Sequence, residues 1–372
     1  MISDLRTKPE LKSLTSFRFV AAFYVFLFHV DARAPLFGEG ILGNFIAEGA
    51  VGMTIFFVLS GFILSHAYDA VDFDLRQYFW NRIARIYPIY LLAAALALPW
   101  LARGVWQESN LTNPFFATVA GIILLVTGLL MLQAWLPQTF GFWNNSASWS
   151  ISTEAFFYSI FPIARTVFSM LQKRQLFLFL CLLSVLSSIV PTSAIVFSNS
   201  PNSFALFYAS PIFRLPEFLA GVITYRLVCD LHFNKKLKYL LSAILAVAVL
   251  HVALLGEVLP EYTLHNWIVI PGVSASLALL YDASRKGSGF FENAGFVWLG
   301  KISYCFYSFQ FHVLEGFRWL APPATIGALT YTILATTTLL LVSALTYHFV
   351  EEPARIWIRR RVSRTSRVVG ET

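Results

Sequence analysis

Charge is scarce in this chain: Asp, Glu, Lys and Arg make up only 13% of its 372 residues, against about 25% in soluble domains. That deficit excludes an ordinary soluble globular protein. Cysteine is scarce as well. Cys181, Cys229 and Cys305 are scattered, with no CxxC or metal-ligand spacing, which argues against disulfide and zinc chemistry and calls for no metal. No cleavable signal pattern opens the sequence. Leu14 to Val30 is apolar, but it lacks a small-residue cleavage site and contains Arg18 and His29. Internal repeats, low-complexity tracts and long linkers are also missing, so a single domain over 1–372 is expected. It would have a short N-terminal segment (1–13) and a basic tail (351–372).

Apolar and aromatic residues fill the space that charge leaves. Hydrophobic residues reach 57%, with 36 Phe, 15 Tyr and 10 Trp, and the mean hydropathy is +0.66. Eleven apolar segments stand out, near 14–32, 50–68, 86–102, 116–136, 149–170, 175–192, 205–228, 238–255, 264–283, 295–320 and 325–350. A bilayer-spanning helix needs about 20 such residues. The pattern therefore predicts an all-α polytopic membrane protein. The net charge of +7 lies between apolar segments, which suits topogenic charge at a membrane face and not nucleic acid binding.

The positive-inside rule selects the number of crossings. With eleven crossings and an inner N-terminus, every basic residue after the fifth segment would change sides. Lys173, Arg174, Arg226, Lys235, Lys236, Lys238, Arg285, Lys286 and six tail arginines would then lie outside. With ten crossings, and one re-entrant segment between Ile86 and Met170, both termini are inside. Those residues then join Arg6, Lys8, Lys12, Arg76, Arg82 and Arg85 on the inner face, leaving only Arg33, Arg103 and Arg318 outside. About ten crossings are expected, and the charge count does not choose among segments 86–102, 116–136 and 149–170.

Charged side chains at bilayer depth cost about 2.5–3.5 kcal/mol on insertion scales and mark functional candidates. Arg18 and His29 are eleven residues apart. At about 100° per residue this is close to three full turns, so they share a helix face about 16 Å apart along the axis. Such a shared face suggests a shared cavity, beside the plainer reading of a snorkelling arginine and a core histidine. Arg82 and Arg85, at i and i+3 in the expected inner loop from Asp69 to Arg85, suit a phosphate group. On spacing alone a topogenic pair fits equally well. In Ser148-Trp149-Ser150-Ile151-Ser152-Thr153-Glu154 a carboxylate enters an apolar segment among hydroxyls. Glu154 either orients a catalytic group or satisfies helix-start donors. Trp149, Ser150 and Ser152 are the candidates for contact with an acceptor. Arg214 and Glu217 are expected to form a structural ion pair inside a segment.

Together these motifs resemble the acyltransferase-3 family. The order is Arg18 and His29, then Val51-Gly52-Met53-Thr54-Ile55-Phe56-Phe57-Val58-Leu59-Ser60-Gly61-Phe62, then Arg82 and Arg85 with Ile86-Tyr87-Pro88. The SWSISTE stretch with Phe157-Tyr158 follows, then Phe213-Arg214-Leu215-Pro216-Glu217, Leu299-Gly300-Lys301-Ile302-Ser303-Tyr304 and Glu351-Glu352-Pro353. The resemblance covers roughly 10–355. It implies a bacterial inner-membrane enzyme that moves an acyl group, usually acetyl, from cytoplasmic acyl-CoA to a sugar hydroxyl on a cell-surface or exported glycan. On this basis Arg18, Arg82 and Arg85 would hold the donor, His29 would act as base or acyl carrier, and Glu154 would orient the imidazole. The chain departs from the family at Met53, where an acidic residue is usual. It also has Gln310 at a position often occupied by His, with His312 two residues later. No esterase-like domain follows the membrane region, so a second transfer step would call for a separate periplasmic partner. A cytoplasmic small-molecule or lipid-linked acceptor, and a transporter or flippase, are the alternatives.

Overall fold

Local caps and prolines set where the helices start and stop. The computed structural model describes residues 8–69, 73–108, 114–136, 139, 148–197, 203–256, 262–287 and 289–369; Arg6 of the charge count lies outside them. Fifteen helices follow in chain order: α1 (Lys12–Asp31), α2 (Ile41–Ala47), α3 (Gly52–Tyr68), α4 (Leu75–Glu108), α5 (Pro114–Leu129), α6 (Trp149–Ser169), α7 (Lys173–Phe197), α8 (Ser203–Ala209), α9 (Pro211–Val228), α10 (Lys235–Leu255), α11 (Asn266–Lys286), α12 (Ala294–Leu320), α13 (Pro323–Ile326), α14 (Ala328–Thr346) and α15 (Glu352–Val369). Short 3₁₀ turns join several of them, and a π-helical turn, Tyr347–Glu351, links α14 to α15. No strand occurs among the described residues.

Eight of these stretches are long and apolar enough to cross a bilayer. The chain is an all-α, multi-pass membrane protein. Two more helices, α6 with 21 residues and α12 with 27, match them in length but carry more polar side chains. With them, ten long helical stretches occur among the described residues. The apolar α5 has 16 residues, about 24 Å of helix against a hydrocarbon thickness of about 30 Å, and it lies in the interval assigned to a non-spanning segment.

Three boundaries differ from the sequence expectation. The stretch Asp69 to Arg85 is mostly helix and not loop: Asp74 Oδ1 accepts from the Arg76 and Gln77 amides at 2.9 and 3.2 Å and so starts α4. Segment 116–136 stops being helical at Leu129. There Tyr90 donates to the Gly128 carbonyl, and Met131 turns into the left-handed region at φ 55°. Segment 205–228 breaks at Ser210, because Pro211 has no N–H and its ring would clash with the preceding turn. Within the basic tail, residues 352–369 form α15.

The chain divides into two compact units. The first comprises residues 1–72, 159–208 and 212–303. Here α3 and α9 cross backbone to backbone. A Cβ on Gly61 would strike the Phe218 carbonyl, and one on Gly221 the Val58 carbonyl, the small-residue contact that membrane helices use in place of a hydrophobic drive. Phe26, Phe62 and Phe218 fill the interior. Asp69, at the end of α3, accepts from Lys8 at 2.7 Å, Tyr225 at 2.9 Å and Arg226 at 2.9 Å. Burial alone would raise its pKa. The Lys8 and Tyr225 hydrogen bonds and the Lys8 and Arg226 charges outweigh that and hold the carboxyl below its usual value.

The second unit comprises 73–158, 209–211 and 304–372. It packs α4 against α15 around Tyr78, Ile89, Phe157, Phe306 and Tyr331.

Candidate active site

In the first unit α1 is one uninterrupted helix from Lys12 to Asp31. Arg18 and His29 therefore stand on one face about 16 Å apart along the axis. Gly52 lets α3 approach α1 closely, since an added Cβ would lie 2.6 Å from a Val25 methyl. Gly300 does the same for α12 at the Thr15 backbone. Both reactive candidates are half-buried. The His29 ring lies 5.0 Å from the Phe28 ring, and its carbonyl accepts from Arg33 Nη1 at 2.9 Å. Arg33 thus caps the end of the helix that presents the imidazole.

The second unit holds Arg82, Arg85 and Glu154, and it separates the two arginines by partner. The Arg82 guanidinium lies 5.6 Å over the Tyr158 ring and 5.8 Å over the Tyr78 ring. Tyr158 donates its hydroxyl to Glu154 Oε1 at 2.5 Å, and the Tyr158 carbonyl accepts from Tyr78 at 2.9 Å. Glu154, Tyr158 and Arg82 thus form one chain of contacts across α4 and α6. Arg85 instead faces Glu351, with Nη1 3.6 Å from Oε1 and the carboxylate fully buried. Cys305 Sγ donates to the other oxygen at 3.2 Å, and Arg355 stands 4.0 Å away. The Tyr304 hydroxyl donates to the Ile86 carbonyl at 2.9 Å, fixing α12 beside the two arginines.

The hydroxyls before Glu154 bond to the protein itself. Ser150 shares a 2.8 Å hydrogen bond with Tyr307. Ser152 donates to the Met131 carbonyl and accepts from the Ala134 amide at 3.2 Å. Gln133 donates to the Ser148 carbonyl at 2.8 Å. Trp149 is buried. These residues hold the turn after α5 against the start of α6, and so fix the helix that carries Glu154.

Arg214 and Glu217 form the expected ion pair, at 3.2 Å and with no more than 1% exposure on either side. The pair is embedded more deeply than its spacing implies. Asn266 donates to Glu217 Oε1 at 2.7 Å, Thr54 lies within 3.4 Å, and the guanidinium packs over Phe57 and Tyr208. Next to Asn266, His265 Nε2 lies 3.8 Å from Glu48, and its Nδ1 lies 3.1 Å from His251 Nε2. Glu48 sits in the connection before α3, only 6% exposed, and burial pushes its carboxyl up to about 7.

Sequence reasoning missed Glu48, His251 and Asn266, because their partners come from other helices. It also read Glu351 only as part of a closing motif. One ring nitrogen of His312 donates to the Ala93 carbonyl at 2.9 Å. No group of three His, Cys, Asp or Glu among the described residues is placed to hold a metal ion.

The profile of the family described as Acyltransferase domain, acyltransferase-3, matches residues 11–348. The Acyltransferase MdmB of Streptomyces mycarofaciens is 28% identical over 95% of this chain and 93% of its own length. The Exopolysaccharide production protein ExoZ of Rhizobium meliloti (strain 1021) is 28% identical over 32% of this chain and 35% of its own. YrhL of Bacillus subtilis (strain 168), whose name contains the words peptidoglycan O-acetyltransferase, is 24% identical over 86% of this chain and 53% of its own. No solved structure matches.

Proposed function

The chain belongs to the acyltransferase-3 family and is a membrane O-acyltransferase, and from that premise we propose that it moves an acetyl group from cytoplasmic acyl-CoA to a hydroxyl of a cell-surface or exported glycan. The host membrane in this reading is a bacterial inner membrane with both termini inside, which the distribution of Lys and Arg supports. The names of two relatives, one for exopolysaccharide production and one with peptidoglycan O-acetyltransferase in it, support a glycan acceptor.

The observation that carries the mechanism is the pairing of Arg18 and His29 on one face of a continuous α1. About 16 Å separates them, a distance that suits the extended pantetheine arm between its phosphate end and its thioester. Arg18 holds the phosphate end of the donor in this reading, and Arg82 and Arg85 are further candidates for phosphate contact. His29 serves the chemistry. As a general base it takes the acceptor hydroxyl proton while the oxygen attacks the thioester carbonyl. The carbon–sulfur bond then breaks, and the CoA thiolate receives a proton. As a nucleophile it would carry the acyl group on nitrogen between the two halves of that reaction. Glu154, bonded to Tyr158, acts in this reading as a positioning residue for Arg82. Trp149, Ser150 and Ser152 support the acceptor side by fixing the start of α6.

Inside-out membrane vesicles supplied with acetyl-CoA carrying isotopic acetyl test this reading. Label in the glycan fraction supports it. Label confined to a small molecule or lipid-linked acceptor would move the enzyme to the alternative substrate class, and no protein-dependent transfer would overturn the donor.

A further inference from the structure

The helix that carries Glu351 runs on into a basic, aromatic stretch, Ile356-Trp357-Ile358-Arg359-Arg360-Arg361. Along α14 and α15 a stripe of large apolar side chains stays exposed: Leu329, Ile333, Leu341, Leu345, Phe349 and Ile356. Exposure of this kind along a membrane helix is contact with lipid. The stripe ends at Trp357, which is 56% exposed, and tryptophan favours the membrane–water interface. From Leu329 to Trp357 the helix rises about 42 Å, close to the ~40–45 Å of a bilayer with its headgroups. One turn further, Arg360 and Arg361 therefore stand at the level of lipid phosphates.

A groove of about 700 Å³ opens at this level, lined by His348, Pro353, Ile356, Trp357, Arg360 and Arg361. Glu352 also borders it, but its carboxylate faces Arg355 at 3.8 Å and His348 at 3.9 Å. The Arg361 guanidinium lies 4.2 Å over the Trp357 ring, so that charge is held over the aromatic and not extended into water. Phe349, in the π-helical turn, precedes Arg360 by eleven residues, about 16 Å along the axis. That is about half of the ~30 Å hydrocarbon thickness, the depth of one leaflet.

We propose that this groove binds one anionic phospholipid. Its phosphate would sit on Arg360 and Arg361, its glycerol region against Trp357, and an acyl chain along Ile356, Pro353 and Phe349. Charge complementarity selects the occupant: clustered arginines beside a membrane helix attract anionic headgroups. The orientation given under the proposed function decides only which leaflet supplies the lipid. The site helps to seat α15, and with it the π-helical turn before it that carries Glu351.

Native mass spectrometry of the purified full-length protein tests this, with phosphatidylglycerol and phosphatidylcholine of identical chains as the probes. The wild type should retain phosphatidylglycerol about twenty-fivefold more strongly than Arg360→Gln/Arg361→Gln, since each charge near the surface contributes a factor of about five. Arg360→Lys/Arg361→Lys should keep most of that retention, because point charge suffices for a phosphate. Phosphatidylcholine retention should be alike in all three. Equal retention of phosphatidylglycerol by wild type and the Gln variant, or its displacement by inorganic phosphate or free CoA at equal concentration, would overturn the lipid site. Acyl transfer is not read in this experiment, so its result stands apart from the catalytic assignment.

Discussion

Glu351, fully buried, faces Arg85 at 3.6 Å, joining the closing Glu-Glu-Pro motif to the arginine motif of α4 from 266 residues away in sequence. The pair should be more than a packing contact. Removing one partner of a buried ion pair costs about 3–5 kcal/mol, chiefly because the other charge is left uncompensated. Glu351→Gln is therefore expected to lower the unfolding temperature markedly. Adding Arg85→Met should recover a large part of the loss. Thermal unfolding of the purified variants as a double-mutant cycle checks the coupling; additive effects would mean that the two charges act independently.

Donor binding gives a second expectation. Arg82→Ala with Arg85→Ala should weaken acyl-CoA binding by at least tenfold while the protein still reaches the membrane, because two charge-assisted phosphate contacts are lost. Lysine at both positions should restore only part of it, as the forked geometry is gone. Tyr158→Phe removes the hydroxyl that bonds Glu154 but keeps the ring beneath Arg82, and should raise the donor Kd more modestly. Isothermal titration with acyl-CoA measures all three. Unchanged affinity in the double Ala variant would remove these arginines from donor binding and leave Arg85 its pairing with Glu351.

Glu48 predicts a pH dependence. Its carboxyl is raised from the usual 4.5 to about 7 by burial. Between those values the folded chain holds a proton that the unfolded chain has released. This contribution to stability is complete below about pH 4.5 and falls away as the pH rises to about 7. The groups facing it are His265, with His251 behind, and Tyr24. Glu48→Gln should flatten the unfolding temperature across that window. An unchanged slope in the variant would assign the dependence to another group.

How far the sequence carried the fold is visible in particular elements. The helices α1, α3, α6, α7, α10, α11 and α12 lie within a few residues of their apolar segments, because a membrane helix must satisfy its own backbone and its length is set by the bilayer. Where tertiary hydrogen bonds intervene, hydropathy misleads. Leu130, Met131 and Leu132 read as a continuing helix, yet Tyr90 and Ser152 capture the carbonyls of Gly128 and Met131 and end it. Within the candidate site, the shared face of Arg18 and His29 and the Arg214–Glu217 pair were legible because helical spacing fixes them. The partners of Arg85, Glu48 and His265 were not. They belong to other elements of the fold, and no local period reports such a contact.

His29 carries the central claim. It is the histidine that shares the continuous α1 with Arg18, whereas His312 meets the Ala93 carbonyl and His265 faces Glu48 and His251. General acid–base help is typically worth about 10²–10⁴-fold, and loss of a nucleophile costs more. The direct measurement is acylated glycan, quantified by mass spectrometry in cells or vesicles carrying wild type, His29→Ala or Glu154→Gln at equal protein level. His29→Ala should reduce acylation at least a hundredfold while acyl-CoA binding persists, and Glu154→Gln should reduce it less. Near-normal acylation by His29→Ala would contradict the mechanism.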